Sequence, residues 1–345
     1  MSTQLESVTA TPDPVAQELS YREAICAALT DEMSLDDSIL LMGEDVAEAG
    51  GVFKTSEGLV ERFGRNRVRN TPICENGFLG VALGLAVTGF RPVVEIMFSD
   101  FLPTAGDAIV NELPKFRFMS GGQCSVPVTV RSIGGSSGRF GTQHSATGES
   151  WYMALPGLKV VTAGTPNSAY ALLRAAIRED DPVLFFEHRG LYGRKGTVDR
   201  SDTNIAVVGK AHVAREGNDV TIVATLMMLD RALQAAAALQ EEGISAEVVD
   251  LRWLRPLDED TVRDSVEKTG RLVIVEEQLH DAGWGASLVS RLARSGHLPV
   301  ASTRILSLPD HLLVPYTPVL EDALVPSVDR VVEAARNVVT EGTSL

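Results

Sequence analysis

Short runs of β-branched residues alternate with amphipathic helical stretches over almost the whole length of this chain. In the first half, the predicted strands are Ser38–Met42, Val93–Ile96, Val126–Val130, Leu158–Val161 and Val183–Phe186. The predicted helices between them are Tyr21–Asp31, Asn76–Val87, Pro103–Phe118 and Ser168–Glu179. Strands separated by helices in this rhythm indicate an α/β fold whose parallel sheets are covered on both faces.

The alternation stops in residues 189–218, a charged and glycine-rich segment, and then resumes. The predicted strands of the second half are Val220–Ala224, Ala246–Asp250, Arg271–Val275 and Arg304–Leu308. Its predicted helices are Leu229–Glu242, Gly285–Arg294 and Val328–Val339. We therefore predict a disordered tail over residues 1–18, a first domain over 19–190, a linker over 191–217 and a second domain over 218–345.

The chain is strongly acidic, with 31 Lys and Arg against 46 Asp and Glu in 345 residues and a formal net charge of −15. This balance argues against nucleic-acid or anionic-membrane partners and suits a basic protein partner. Three scattered cysteines indicate a reducing compartment, and no apolar run is long enough to span a membrane. The first eighteen residues contain no Lys or Arg, so we predict no conventional signal or transit peptide and expect a cytoplasmic protein.

The segment Thr71–Gly80 carries the most specific candidate chemistry. It places Glu75 after a proline and directly ahead of a glycine-punctuated apolar helix. A glutamate at such a junction can be held facing a cleft, where it transfers a single proton. The alternative is an acid in the first helical turn that only complements the helix dipole.

A glycine-rich segment, Gly134–Gly141, follows the predicted strand Val126–Val130 and leads to His144. It is neither a dinucleotide fingerprint nor a P-loop, so a nucleotide site is weakly supported. It could be a mobile loop that presents His144 to a cleft, or a surface loop with an incidental histidine. The other histidines have no paired spacing, which leaves a zinc site unsupported, and the nucleophile elbow of a serine hydrolase is absent.

Taken together, these segments resemble the β subunit of the E1 component of 2-oxoacid dehydrogenase complexes, from about Ser20 to the end of the chain. The resemblance implies the fold of the transketolase group, with a pyrimidine-binding domain followed by a C-terminal domain. It rests on the order and spacing of seven segments: Gly43–Val46, Thr71–Gly80, Arg91–Met97, Lys115–Gly122, Gln143–Ser145, Pro156–Val161 and Leu320–Asp322.

The resemblance also implies roles for individual residues. Glu75 matches the glutamate that contacts N1′ of the thiamine diphosphate aminopyrimidine, and Phe101 matches the aromatic residue that packs on that ring. Ile73 and Met97 fall on the walls of the pocket, and His144 on the active-site histidine. A structural potassium ion would be held largely by main-chain oxygens at Val128, Ala176, Ile177, Glu179 and Asp181. An apolar pocket around Glu75 would suit a carboxyl group with a raised pKa.

The Gly-Asp-Gly motif, through which thiamine enzymes hold Mg2+ and the diphosphate, is absent from this sequence. The resemblance therefore implies half an active site, completed by an α subunit that holds Mg2+ in an α2β2 heterotetramer. The further partners implied are a lipoyl E2 acyltransferase core, docked on the second domain, and a small 2-oxoacid, either pyruvate or a branched-chain acid.

Cys74 and Asn76 depart from the family pattern beside Glu75, so the effect of these neighbours is left open. The fragments Ile96–Phe101 and Glu187–Arg189 look like branched-chain or acetoin-type members, which leaves the substrate open as well. Three alternatives remain at this point: cleavage of acetoin on the same scaffold, the C-terminal half of a split transketolase, and a non-catalytic structural or regulatory subunit. The presence of Glu75 and His144 argues against the last of these.

Overall fold

The computed structural model of the chain describes residues 15–341. The part of the predicted tail before residue 15 lies outside these residues. The strands are β1 (Ala16–Ser20), β2 (Ile39–Gly43), β3 (Val68–Asn70), β4 (Arg91–Ile96), β5 (Thr129–Gly134), β6 (Lys159–Thr162), β7 (Val183–His188), β8 (Lys195–Asp199), β9 (His212–Arg215), β10 (Val220–Ala224), β11 (Ala246–Asp250), β12 (Trp253–Arg255), β13 (Leu272–Leu279) and β14 (Thr303–Leu308).

The helices lie mostly between the strands, as the alternation of the sequence predicts. They are α1 (Tyr21–Leu35), α2 (Leu59–Phe63), α3 (Glu75–Val87), α4 (Leu113–Met119), α5 (Glu149–Met153), α6 (Pro166–Arg178), α7 (Leu226–Glu241), α8 (Glu259–Thr269), α9 (Trp284–Ser295), α10 (Pro318–Leu324) and α11 (Val328–Glu341). Within the described residues, no helix is long and apolar enough to cross a membrane.

Two sheets organise the molecule, and the α/β prediction with parallel sheets is confirmed. The first has the order β12-β6-β7-β5-β4-β2-β3 and is parallel apart from β12, which the second half of the chain contributes. The second has the order β14-β13-β10-β11-β9 and is parallel apart from β9. A separate antiparallel ribbon joins β1 to β8.

Both faces of each sheet are covered, because neighbouring strand residues enter different apolar cores. In the first sheet, Val93 belongs to one core and Val94 to the other, as the alternation of side chains along a strand requires. In the second sheet, Val273 and Ile274 are divided in the same way. One core includes residues of α1, α6, α7 and α11, and the other includes residues of α3, α8 and α9.

Helices α1 and α6 pack on each other and begin at side-chain caps. Ser20 and Glu23 form a capping box at the start of α1, which satisfies two backbone donors of the first turn. Buried Glu32 of α1 accepts hydrogen bonds of 2.7 Å from Arg174 and 2.8 Å from Arg178 of α6. Because removing one partner would leave a buried charge, these contacts fix the two helices side by side.

Three predicted segments differ from the structure. Strand β1 begins within the predicted tail, so residues 16–18 are ordered by pairing with β8. The predicted linker contains β8 and β9, which join different sheets. The single helix predicted over Pro103–Phe118 is instead a 3-10 helix at Ser99–Ala105, a π-helical turn at Ala108–Glu112 and α4. Prolines at 103 and 114 lack an N–H donor, which disfavours one continuous α-helix here.

Candidate active site

The first sheet collects the candidate site residues at one edge. Strands β2 to β5 and β7 are parallel, so the segments that follow them leave the sheet at the same side. Crevices at the carboxyl ends of parallel strands are common ligand sites in α/β folds. The segments at this edge contain Glu44 after β2, Thr71 and Glu75 after β3, Met97 and Phe101 after β4, His144 after β5 and Arg189 after β7.

Glu75 is the first residue of α3, and its side chain is half-buried. Cys74 occupies the N-cap position but its side chain makes no capping hydrogen bond, so the first turn is open to a ligand or a partner. Asn76 has a contact that ties α3 to the next segment, because its Oδ1 accepts a hydrogen bond of 3.3 Å from the backbone N–H of Ala108. Asn76 therefore holds the helix that carries Glu75.

Glu44 is a site residue for which the sequence reasoning proposed no role. Burial raises the pKa of Glu44, and the charges of Glu75 and Asp45 raise it further. Its Oε1 atom and the hydroxyl of Thr71 are both buried and have no hydrogen-bond partner among the described residues. The Thr71 N–H donates to the Gly43 carbonyl at 2.9 Å, so Thr71 lies next to the segment of Glu44, and the two unsatisfied oxygens suit a bound polar group.

Phe101 and His144 are brought together, as the resemblance implies. Buried Phe98 contacts both rings and meets the His144 ring edge-on, with the ring centroids 4.8 Å apart. Phe101 meets the same imidazole at a centroid distance of 5.6 Å and an interplanar angle of 79°. The three rings form an aromatic wall that orients His144 at the carboxyl edge of the sheet.

The predicted apolar pocket around Glu75 is incomplete in this chain. Met97 is half-buried at the end of β4, but Ile73 is 83% exposed. Val81, on the second turn of the same helix, is also 54% exposed. Ile73 lies two residues before α3 and faces solvent in the single chain, so its place in the wall around Glu75 stays a prediction for the complete site. A second protein surface is needed to enclose Glu75 there.

The glycine-rich segment makes contacts with side chains on either side of it. Gly135 and Gly141 have φ values of 88° and 73°, and side chains at these positions would overlap the rings of His188 and Tyr316. Arg189 stacks over the Phe140 ring at 3.9 Å and donates a hydrogen bond of 3.2 Å to the carbonyl of His144. Contacts from both domains therefore fix the path to His144.

Two further hydrogen bonds hold the backbone just beyond His144. The hydroxyl of Ser99 donates to the Ala146 carbonyl at 2.6 Å, and the Ala146 N–H donates to Asp100 Oδ2 at 3.2 Å. Burial raises the pKa of Asp100, against the lowering effect of this hydrogen bond. The segment that carries Phe101 thus also fixes the backbone beside His144.

One histidine and three glutamates lie near one another between the two domains, close to this loop: His188, Glu149, Glu276 and Glu277. His188 Nδ1 accepts a hydrogen bond from Gly190 N–H, so Nε2 carries the proton that is donated to Glu277 at 2.9 Å. Burial acts to raise the pKa of Glu277, but His188 and the donors of Ser136 lower it to about 2. Burial instead raises the pKa of Glu149 to about 7 and that of Glu276 to about 8.

The five positions matched to a potassium site lie at the opposite, amino-terminal edge of the first sheet. Arg91 Nη1 donates hydrogen bonds to the carbonyls of Ile177 at 3.3 Å and Glu179 at 3.0 Å. The carbonyl of Ala176 accepts one from the Thr129 hydroxyl at 3.1 Å. The Val128 carbonyl accepts from the Val183 N–H at 2.9 Å, and Lys159 pairs with the Asp181 side chain at 3.1 Å. Two of the five carbonyls thus accept from a guanidinium group, and the potassium site stays a prediction.

The edge that carries Glu75 fits the aminopyrimidine half of thiamine diphosphate. Glu44 Oε1 and the Thr71 hydroxyl are unsatisfied polar atoms beside Glu75, and the ring of Phe101 lies at the same edge. Within residues 15–341, however, no group of three or more His, Cys, Asp or Glu side chains could hold a metal ion. The chain thus offers donors and an aromatic surface for the ring, but no such cluster for Mg2+.

Comparison with known proteins agrees with this geometry. Residues 17–195 match the transketolase pyrimidine binding domain, and residues 209–331 match the transketolase C-terminal domain. The mitochondrial pyruvate dehydrogenase E1 component subunit beta-2 of Oryza sativa is 44% identical over 93% of this chain and 86% of its own length. The β subunit of acetoin:2,6-dichlorophenolindophenol oxidoreductase from Bacillus subtilis is 42% identical over 95% of this chain and 99% of its own.

A solved structure described as a split gene transketolase, an inactive β4 tetramer, has a TM-score of 0.78 and 25% identity. It covers 94% of this chain and 99% of its own. Both domain matches, the identity of the relatives and the nearly complete coverage point to the same family. The chain belongs to the E1 component β subunits of the thiamine-dependent 2-oxoacid dehydrogenases, built from the transketolase pyrimidine-binding and C-terminal domains.

Proposed function

We propose that this chain combines with an α subunit to decarboxylate a 2-oxoacid, pyruvate or a branched-chain acid, and to acylate the lipoyl groups of an E2 core. The observation that carries the proposal is the shared edge of the first sheet. Glu44 lies close to Glu75 there, Thr71 is hydrogen-bonded to the residue before Glu44, and Phe101 meets His144 at the same edge. Thiamine diphosphate, when bound, supplies the electron sink that decarboxylation requires.

Each residue of this edge has a distinct task in the proposal. Glu75 holds the proton that it shares with the N1′ atom of the aminopyrimidine ring. Glu44, whose pKa is raised by burial and by the charge of Glu75, stays protonated more readily and can donate a hydrogen bond. Phe101 packs on the ring, and Met97 forms part of the wall. His144 orients the substrate or passes a proton during acyl transfer.

The α subunit completes the site in this proposal by holding Mg2+ and the diphosphate. The exposed surface near the start of α3 supports such a partner, because Ile73 just before the helix and Val81 on its second turn are both exposed and apolar. An α2β2 heterotetramer would cover this surface and exclude water from Glu75. A structural potassium ion at the five matched carbonyls stays a prediction, and it would share two of these oxygens with Arg91.

The reconstituted pair of α subunit and this chain tests the reaction. Pyruvate and branched-chain 2-oxoacids should be consumed with thiamine diphosphate and Mg2+, and lipoyl groups on E2 should become acylated. Acetoin and sugar phosphates serve as comparison substrates, because relatives named for acetoin oxidoreductase and for transketolase share this fold. Turnover of acetoin or a sugar phosphate without 2-oxoacid turnover would assign the chain to one of those activities instead.

We also propose that a basic surface of E2 docks on the second domain of this acidic chain. The net charge of −15 would then steer association, so the association rate should fall as salt rises. Stopped-flow association at several ionic strengths measures this effect. Truncation after Gly217 is an unsuitable test, because it would remove β12 from the first sheet and the contact of Glu277 with the glycine-rich segment. An association rate that does not change with salt would contradict the electrostatic part of the proposal.

A further inference from the structure

Two carboxylates of the second domain bind consecutive backbone amides of the glycine-rich segment. Ser136 N–H donates to Glu277 Oε1 at 2.6 Å, and Ser137 N–H donates to Glu321 Oε1 at 2.6 Å. Glu277 lies on β13 and Glu321 on α10, and both side chains are buried. Hydrogen bonds from backbone N–H groups to a carboxylate are among the stronger ones in proteins.

The two carboxylate groups accept their hydrogen bonds from the first domain rather than from the second domain, to which they belong. Glu321 accepts from Ser137 and from Arg139 Nη1, the latter at 2.5 Å. Glu277 accepts from Ser136 and from His188. Among the described residues, all donors to these two carboxylates belong to the first domain. A carboxylate buried without such donors would be costly, so these contacts determine how the loop meets the second domain.

The loop conformation itself requires support. Ser137 and Arg139 have φ values of 71° and 60°, a left-handed conformation that non-glycine residues rarely adopt. Such conformations persist where surrounding contacts over-determine them. Glu321 binds both residues, and Asp322 Oδ1 adds an ion pair of 2.8 Å with Arg139. The second domain therefore supplies the contacts that hold the strained part of the loop.

The same domain also holds the loop on both sides of His144. The Thr142 hydroxyl donates to the Val314 carbonyl at 3.1 Å, and the Thr147 hydroxyl donates to the Glu277 carbonyl. The backbone between these anchors carries His144 to the Phe98 and Phe101 rings. A small displacement of the anchors would move the imidazole away from these rings.

We propose that Glu277 and Glu321 are positioning residues, through which the second domain fixes His144 in the orientation that acyl transfer needs. The role proposed above for His144 is a premise of this assignment. The carboxylates touch neither substrate nor cofactor in this scheme. They act through Ser136, Ser137 and the backbone that leads to His144, so their loss should imitate the loss of His144 itself.

Substitutions at Glu321 test the positioning role in the reconstituted complex with the α subunit. Glu321→Ala removes the acceptor for Ser137 N–H and should lower kcat for lipoamide acylation by roughly 10²-fold, as small misplacements of catalytic groups do. KM for the 2-oxoacid should change little. Glu321→Gln retains an acceptor oxygen and should recover part of the loss. Asp322→Asn is the matched control, because Asp322 pairs with Arg139 but does not bind the loop backbone.

A double-mutant cycle with His144→Ala separates positioning from general loss of structure. If Glu321 acts through His144, Glu321→Ala should cause no further loss in the His144→Ala background. Full additivity of the two losses would overturn the positioning role. A normal acylation rate in His144→Ala alone would instead show that the premise about His144 is wrong.

Hydrogen exchange of the full-length chain provides a measurement that does not depend on activity. Amides of residues 134–146 should exchange faster in Glu321→Ala, while amides of α7 should keep their wild-type rates. The unchanged rates in α7 would show that the second domain remains folded. Wild-type exchange over residues 134–146 would refute the assignment whatever the activity of the variant.

Discussion

The His144 imidazole meets the ring of Phe101 nearly edge-on, at a centroid distance of 5.6 Å and an interplanar angle of 79°. The two residues leave the sheet after different strands, β4 and β5, which are parallel neighbours. By the family resemblance, Phe101 packs on the aminopyrimidine ring and His144 is the active-site histidine. Binding at Phe101 and chemistry at His144 are therefore expected to occur in one site.

His144→Ala should impair acylation of lipoamide more than the first decarboxylation. In the proposed function, decarboxylation depends on the proton held by Glu75, which lies close to Glu44. His144 lies instead against Phe98 and Phe101 and takes part in acyl transfer. A loss of about 10²–10⁴-fold in acylation is expected for a general acid–base group. Decarboxylation with an artificial electron acceptor and acylation of lipoyl E2 can be measured separately. Equal losses in the two steps, with cofactor binding intact, would point to another role.

Isolated chains should not bind thiamine diphosphate tightly. Ile73 is 83% exposed beside Glu75, and the described residues offer no cluster of acidic, histidine or cysteine side chains for a metal ion. Calorimetry of the chain alone and of its complex with the α subunit measures the difference. Mg2+-dependent binding of equal affinity in both would show that this chain contains the complete site.

The stability of the chain should fall between about pH 5 and pH 8 through the buried acids Glu149 and Glu276. Burial raises the pKa of Glu149 to about 7 and that of Glu276 to about 8, from ordinary values near 4.5. Each acid therefore stabilises the fold fully below the unfolded pKa, and this contribution is lost as pH rises through the folded value. The slope is at most about 1.4 kcal/mol per pH unit for one group.

Denaturant unfolding of Glu276→Gln measures this effect against wild type. Glutamine imitates the protonated acid and still accepts the hydrogen bond that Gly285 N–H donates at 2.8 Å. The free energy of unfolding should therefore depend less on pH in the variant above pH 6. An unchanged pH dependence would mean that Glu276 does not keep its proton in the folded chain. Because burial and its hydrogen bonds leave the pKa of Glu277 near 2, that residue should not contribute in this range.

The alternation of the sequence was sufficient to predict the parallel sheets, because short apolar runs such as Val183–Phe186 recur between helical stretches. It missed β12, whose three residues join the first sheet from the second half of the chain. No local pattern reports a partner so distant in sequence. It also missed the change of helix type after Ser99, where Pro103 is the visible signal.

At the site, the resemblance to the family implied that Phe101 and His144 share one site, and their rings are in contact. The pair of His188 and Glu277 could not be predicted, since its members lie on β7 and β13 of different domains. Glu44 could have been found, because it follows a buried strand and lies in the segment Gly43–Val46 that resembles the family. The charge of nearby Glu75 raises the pKa of Glu44, and the sequence pattern does not show that these two residues are close.

Glu75→Gln distinguishes the two interpretations of this residue that the sequence left open. Under the proposed function, glutamine retains size and a hydrogen bond but cannot share a titrating proton with N1′. Exchange of the C2 hydrogen in the bound cofactor should therefore slow by about 10²–10⁴-fold. Under the helix-dipole interpretation, exchange stays normal and only the stability changes, by about 0.3–1 kcal/mol.

Glu61→Gln is the matched control for Glu75→Gln, because Glu61 is an exposed acid in the first turn of α2. Its loss should reproduce the dipole effect and leave C2 exchange at the wild-type rate. Both variants are measured in the complex with the α subunit, after quenching and by NMR. Cofactor binding should survive in Glu75→Gln, since Phe101 and the metal half of the site are unchanged. Wild-type C2 exchange in Glu75→Gln would refute its role as the proton-sharing group.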